Sequence, residues 1–315
     1  MRRILAGLAL LVAAWIGAGF AMVASAGDFR PAGVFHDIGG RRLRLVCEGP
    51  KGASPVVWTE GGAFGLAADF AAIQQKLAAR GVRSCAYDRA GQGFSDPGPA
   101  PRDSNAIVGD LEKLMAASGE AGPYVLVGHS MAGLYVHHFA AKHPDQVAGV
   151  VLADAATPEM SRSRRSRGFL DSLGGTFRWV AIANSLGLAK PLYFNGDRIG
   201  LPPQGQKEKR RAYVSGAHAR NSYAEFKVWE QSAAQAQAAG RLDPALPVAV
   251  IVAGGNRRLD DPSYAERLAG RQAPAKASRA GLYWAEPGAS HTTLLGFSHG
   301  DAVVKGVMHV IAAAK

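Results

Sequence analysis

A serine hydroxyl attacks a carbonyl carbon only when the backbone presents it and a base takes its proton. The run Gly128-His129-Ser130-Met131-Ala132-Gly133 offers that presentation, because the apolar strand Tyr124–Gly128 leads into it and a helical pattern from Met131 to Lys142 leads out. A serine on such a strand–turn–helix junction has small neighbours, projects at the sheet edge and meets the positive end of the helix dipole. Gly128 is one small neighbour, and Ala132, with Gly133 next, is small enough to be the other. The base needs a pKa near neutrality, so the nine histidines are the candidates. His129 adjoins the serine but is expected to point elsewhere on the turn. His137, His138 and His143 belong to the following helix or its end, and His36, His218 and His309 fall in a hairpin, a later helical stretch and the last helix. His291 lies in a loop after the last strand, in Pro287-Gly-Ala-Ser-His-Thr-Thr293, and is the preferred base; His299 is the fallback.

These residues need a scaffold, and the chain alternates strand and helix patterns. Gly33–Asp37 and Arg41–Glu48 flank Ile38-Gly39-Gly40, which reads as a hairpin. Further strands are expected at Pro55–Thr59, Val82–Tyr87, Tyr124–Gly128, Val147–Ala153, Pro247–Ala253 and Ala280–Ala285. Helices are expected at Leu66–Arg80, from Asp103 or Ser104 to Gly119, at Met131–Lys142, at Tyr264–Leu268 and at Asp301–Ala313. Central strands apolar on both faces require a mostly parallel sheet covered on both sides, an α/β fold. Residues 155–246 are too long for a simple crossover. They read as a helical insertion with pieces near Phe169–Leu173, Phe177–Leu186, Gln206–Ala219 and Tyr223–Ala239. The insertion starts at the C-terminal end of a strand, where such sheets bind ligands, so it is expected to lid the site.

Across nearly all of residues 27–315 the chain resembles the α/β-hydrolase superfamily. Tyr87-Asp-Arg-Ala-Gly-Gln-Gly-Phe-Ser-Asp96, Gly128–Gly133 and Gly288-Ala-Ser-His291 carry the resemblance. It is similar to the lidded subgroup of esterases, lipases, epoxide hydrolases and dehalogenases, and the serine argues against the last two, which use an aspartate at the turn. The resemblance implies that the loop of His291 returns to Ser130. It also implies a carboxylate between them in the chain, at a strand tip. Asp154, which directly ends Val147–Ala153, is preferred. Asp260, beside Asp261 in the loop after Pro247–Ala253, is the alternative acid, and that later loop is where relatives usually carry it. The oxyanion of an acyl-transfer intermediate would be held by the amides of Met131 and Ala63, the latter in Glu60-Gly61-Gly62-Ala63. Glu60 is expected to be a buried strand-end carboxylate and not a catalyst. The implied activity is ester hydrolysis on a small-molecule substrate through an acyl-enzyme. An amidase, a thioesterase, a lyase and a non-catalytic binding protein are the alternatives. No cofactor and no metal is implied.

Residues 1–26 stand apart. Met1-Arg2-Arg3 precedes an uncharged run from Ile4 to Val23, and Ala24-Ser25-Ala26 follows. This is a signal peptide or an uncleaved N-terminal membrane anchor, and either places the body outside the cytoplasm, periplasmic, extracellular or membrane-associated. The net charge of +11 comes from 36 Lys and Arg against 25 Asp and Glu. Its clusters, at Arg162–Arg167 and Lys207–Arg211, lack the interleaved aromatics or module of a nucleic-acid binder, so no nucleic-acid partner is expected. They suit a solvated basic face or an anionic membrane surface. Cys47 and Cys85 fall on strands that are neighbours in the resembled fold. Two buried free thiols are the expectation there, and a bridge is the alternative that an exported protein permits.

Overall fold

A computed structural model describes residues 1–53, 55–162, 164–255 and 271–314, with the backbone alone for 161, 162 and 164–166. Eight strands form one sheet: β1 (Val34–Asp37), β2 (Arg42–Glu48), β3 (Val56–Glu60), β4 (Ser84–Tyr87), β5 (Tyr124–His129), β6 (Val147–Ala153), β7 (Val248–Gly255) and β8 (Gly281–Pro287). Their order is β1-β2-β4-β3-β5-β6-β7-β8. The first two pairings, β1 with β2 and β2 with β4, are antiparallel, and every later one is parallel. This is the mostly parallel sheet that the two-faced apolar strands require.

Alternation along the strands divides the core between the two faces. Trp58, Leu126, Val150 and Val250 turn one way, onto Leu111 and Leu114 of α3 (Ser104–Ser118) and Val136 and Phe139 of α4 (Ala132–Lys142). Val57, Val125, Val127 and Ile251 turn the other way, onto Ile73 and Leu77 of α2 (Ala71–Ala78) and Val303 and Val307 of the C-terminal helix Gly300–Ala313. Local chemistry sets the element ends. Asp103 caps α3 by accepting from the Ala106 amide at 3.1 Å, and Gly119 ends it at φ 70°. In the hairpin, Gly39 and Gly40 have φ of 94° and 84°, and both amides donate to the Asp37 carboxylate.

Between β6 and β7 come α5 (Arg164–Ser185), a 3-10 segment at Lys190–Asn195, α6 (Pro203–Tyr213), α7 (Gly216–Phe226) and α8 (Trp229–Ala238). The expected pieces Phe169–Leu173 and Phe177–Leu186 are one helix. Gly174 between them is a contact site, since a Cβ there would sit 3.4 Å from the Phe226 ring. The expected helix Gln206–Ala219 is two, because the Ser215 hydroxyl accepts from the His218 amide and starts α7 afresh. Tyr223–Ala239 divides likewise at Lys227–Val228. The expected helix Tyr264–Leu268 lies outside the described residues. α9 (Ala273–Ala277) and α10 (Gly300–Ala313) follow, and α1 (Arg2–Ser25) precedes the whole. α1 is long and apolar enough to cross a membrane.

The cysteines depart from the expectation of free thiols: Cys47 and Cys85 are joined. They are direct partners in the antiparallel β2–β4 register, with Cα atoms 4.1 Å apart. Opposed residues of that kind bring their side chains together on one face. The bridge closes a loop across a sequence separation of 38. Its removal by Cys47→Ala/Cys85→Ala is expected to cost about 2–4 kcal/mol in urea unfolding, chiefly by freeing the unfolded chain.

Candidate active site

β5 ends at His129 and α4 begins at Ala132, so the chain turns within two residues. Ser130 takes φ 57° there. Its amide donates to Ala153 O at 3.3 Å, and its carbonyl accepts from the amides of Gly133 and Ala156 at 3.1 and 2.8 Å. These bonds lock a conformation that a non-glycine residue rarely adopts. Phe64, Ser130 and Asp154 are the non-glycine residues with positive φ among the described residues, and all three converge on this edge of the sheet. The small flanking residues have steric reasons. A Cβ on Gly128 would lie 2.7 Å from Val136 Cγ2. A Cβ on Gly133 would strike the Ala156 carbonyl. The crowded position is therefore Gly133, and Ala132 fits.

His291 follows β8 and is half-exposed. Its Nδ1 donates to Asp154 Oδ2 at 2.6 Å. Asp154 stands directly after β6, buried, with φ 44° and its own amide bonded to Ile251 O at 2.7 Å. Its other oxygen accepts from Arg271 Nη1 and, at 3.4 Å, from the Ala253 amide. Burial works against its ionisation, but the His291 hydrogen bond and the Arg271 charge outweigh it and hold the carboxyl at about 2. The structure thus brings Asp154 and His291 together, whereas the alternative acid Asp260 lies outside the described residues. The fallback His299 pairs with Glu286 at 3.4 Å, at the other end of the loop.

Two residues outside the expected set position this group. His129 does not point away. Its ring lies 4.4 Å from the His291 ring, and its Nε2 donates to His291 O at 2.8 Å. Burial, then the neighbouring His291, lower its pKa to about 3, so it is neutral and its one ring proton is committed to that carbonyl. Arg271, the second, is 117 positions from the carboxylate it touches, and no local pattern announces it.

The loop after β3 supplies the other wall. Arg89 is buried and donates to Gly61 O, to Gly62 O at 2.8 Å, to Glu60 Oε1 at 2.6 Å and to Glu225 Oε2 at 2.7 Å. Lys209 Nζ donates to Phe64 O at 2.9 Å. A trans peptide points its N–H opposite to its C=O. With the Gly62 carbonyl turned to Arg89, the Ala63 amide faces the other way. Among the described residues no group accepts from the Ala63 or Met131 amide. Glu60 is buried and takes hydrogen bonds from Arg89 and the Tyr87 hydroxyl, as a strand-end carboxylate should. Ala63 and Met131 share an apolar cluster with Leu170, Leu173 and Phe177 of α5 and Phe226 of α7. The Phe177 ring stacks edgewise on Phe64 at 4.8 Å and on Phe226 at 4.7 Å.

Gly62 lies against the serine, and a Cβ there would overlap Ser130 Cβ and come within 3.0 Å of its Oγ. Gly62→Ala is expected to lower kcat on a chromogenic ester about 100-fold per folded molecule, since a shift near 1 Å at the reacting atoms costs that much, and the clash is expected to lower the melting temperature as well.

The alpha/beta hydrolase fold family matches residues 55–297. Lipase LipV of Mycobacterium tuberculosis is 46% identical over 71 residues, 22% of this chain and 26% of that protein. The chain spans less than half the length of the curated relatives it matches. A thermophilic esterase from Thermogutta terrifontis superposes with a TM-score of 0.59 at 19% identity, over 89% of this chain and 98% of that one. Cfl2 from Burkholderia cenocepacia superposes with 0.67 at 19% identity, over 87% and 95%. At such identities the likeness to solved structures is one of fold.

Proposed function

We propose that this chain, which belongs to the alpha/beta hydrolase family, is a serine hydrolase that cleaves carboxylic esters through an acyl-enzyme. The observation that carries the reading is the His291 Nδ1–Asp154 Oδ2 hydrogen bond of 2.6 Å at the edge where Ser130 stands in its strained turn. In this reading Ser130 Oγ attacks the ester carbonyl carbon while His291 Nε2 takes its proton. The negative charge moves onto the carbonyl oxygen, where the Met131 and Ala63 amides receive it. The C–O bond then breaks, and His291 returns the proton to the leaving alcohol. Water, deprotonated by the same imidazole, releases the acid and restores Ser130. Asp154 keeps the Nδ1 proton in place and stabilises the imidazolium. The apolar wall of Leu170, Leu173, Phe177 and Phe226 suits an apolar acyl or alcohol group.

The proposal includes the domain plan: residues 27–315 as one catalytic unit, with the insertion of about 155–246 as a cap over the site. It also places that unit outside the cytoplasm, exported by α1 or anchored through it. The apolar length of α1 and the Cys47–Cys85 bridge support this placement. Fluorophosphonate labelling tests the chemistry. The wild-type chain is expected to label on Ser130 and Ser130→Ala not at all, and a panel of esters, thioesters and amides then assigns the bond cleaved. An unlabelled wild type beside a labelled control hydrolase would overturn the reading.

A further inference from the structure

Helix α1 meets the rest of the chain on one side, over a short length. Trp15 Nε1 donates to Leu188 O at 2.9 Å, the Lys190 ammonium lies 4.9 Å from the Phe20 ring, and Gly19 is buried against Lys190 and Pro191. Leu5, Leu8, Leu10 and Leu11 remain exposed. At 1.5 Å per residue α1 is roughly 36 Å long, and the hydrocarbon core of a bilayer is about 30 Å thick. Trp15–Phe20 sit roughly 8–15 Å inside the C-terminal end of that helix. If α1 crosses a bilayer with Arg2 and Arg3 on the inner side, residues 187–191, which touch it there, lie below the outer headgroups. They can do so only if their surroundings are apolar.

The surroundings are apolar. Trp179 and Ile182 on α5, and Leu186 directly after its last residue, follow helical spacing and are 69%, 38% and 60% exposed. They occupy the face opposite Leu170, Leu173 and Phe177, so one helix turns one apolar face to the candidate site and another outward. Phe194, in the 3-10 segment, is 53% exposed. Cations rim this surface. The Arg210 guanidinium lies 5.6 Å from the Phe194 ring, Arg220 donates to Ser185 Oγ at 2.8 Å, and Arg211 holds Gly27 O, just past the end of α1, at 2.7 Å. Apolar side chains bordered by Lys and Arg fit the headgroup–acyl boundary of an anionic bilayer.

We propose that the insertion is seated in the membrane: the C-terminal half of α5 and the segment Lys190–Asn195 lie in the outer leaflet beside α1, with Lys190, Arg210, Arg211 and Arg220 at anionic headgroups. The ester then reaches the site from the bilayer, across α5. This rests on α1 being a membrane span and not a cleaved leader.

The test uses the full chain in nanodiscs of phosphatidylglycerol and phosphatidylcholine. A nitrobenzoxadiazole label on Leu186→Cys is expected to be quenched by doxyl-labelled lipid and shielded from iodide. The same label on Lys113→Cys, exposed on α3, is expected to behave in the opposite way. Trp179→Ser/Leu186→Ser is expected to hydrolyse a bilayer-dissolved ester about tenfold more slowly while keeping its rate on a water-soluble one. Iodide quenching at Leu186→Cys equal to that at Lys113→Cys overturns the proposal. So does a double variant that matches wild type on both esters, or release of the chain from its membrane by alkaline carbonate. Fluorophosphonate labelling of Ser130 in the same discs reads the catalytic proposal separately, because it does not depend on where the insertion sits.

Discussion

Asp154→Asn is expected to lower kcat on any ester substrate by about 10⁴-fold while KM changes little. An asparagine side chain keeps the size and one acceptor oxygen, but its amide can also present N–H to His291 Nδ1. The imidazole then loses the tautomer that leaves Nε2 free to accept the Ser130 proton, and the imidazolium loses its counter-charge. Arg271 sharpens the effect, since it already claims one carboxylate oxygen and would draw the amide oxygen to itself, turning the –NH2 towards His291. Asp260→Asn is the control, and activity close to wild type is expected. The opposite pattern, a loss at Asp260 and none at Asp154, would move the role to the later loop. The pH response has a definite sign. With its carboxyl held at about 2, below the ordinary aspartate value near 3.9, Asp154 contributes stability that is complete above pH ~4. That contribution is lost as the pH falls towards 2. The melting temperature of Asp154→Asn should therefore fall less steeply than that of wild type across that window.

What the sequence announces here is what local spacing controls. The Ser130 turn is legible because a strand, a turn and a helix close together in the chain define it. His291 is legible because its loop follows the last strand. The acid is ambiguous because two strand ends each carry an aspartate, and only tertiary placement brings Asp154 to 2.6 Å from His291. The placement of His129 is not legible, because alternation along β5 says nothing of a carbonyl 162 positions later. The bridge between Cys47 and Cys85 turns on strand register, which composition does not reveal. Least legible are the pairings that fix the insertion to the sheet. Arg89 and Glu225 are 136 positions apart and Arg44 and Glu208 are 164 apart, and each residue alone reads as an ordinary surface charge.

Those pairings carry the second large effect. Arg89→Met is expected to destabilise the protein by about 3–5 kcal/mol in urea unfolding, because Glu60 and Glu225 would be left buried with no cation between them. Both carboxylates are almost wholly inaccessible, at 2% and 0%, so water cannot replace the guanidinium. The same variant should lose activity beyond its loss of folded protein. Arg89 is what holds the Gly61 and Gly62 carbonyls, and with them the orientation of the Ala63 amide proposed to receive the oxyanion. Arg44→Met separates the two consequences. Arg44 is as deeply buried and joins Asp88 to Glu208 of α6 at 2.7 Å to each, so a similar loss of stability is expected. Among the described residues it has no hydrogen bond to Gly61–Leu66, the loop after β3; its partner Asp88 accepts from the Ala67 amide, just past that loop, at 2.8 Å. Measured well below both melting points, kcat should therefore fall about 10²-fold in Arg89→Met, comparable to the loss of one oxyanion donor, and stay near wild type in Arg44→Met. Equal kcat in the two variants would mean that Arg89 serves stability alone and that the loop holds its shape without it.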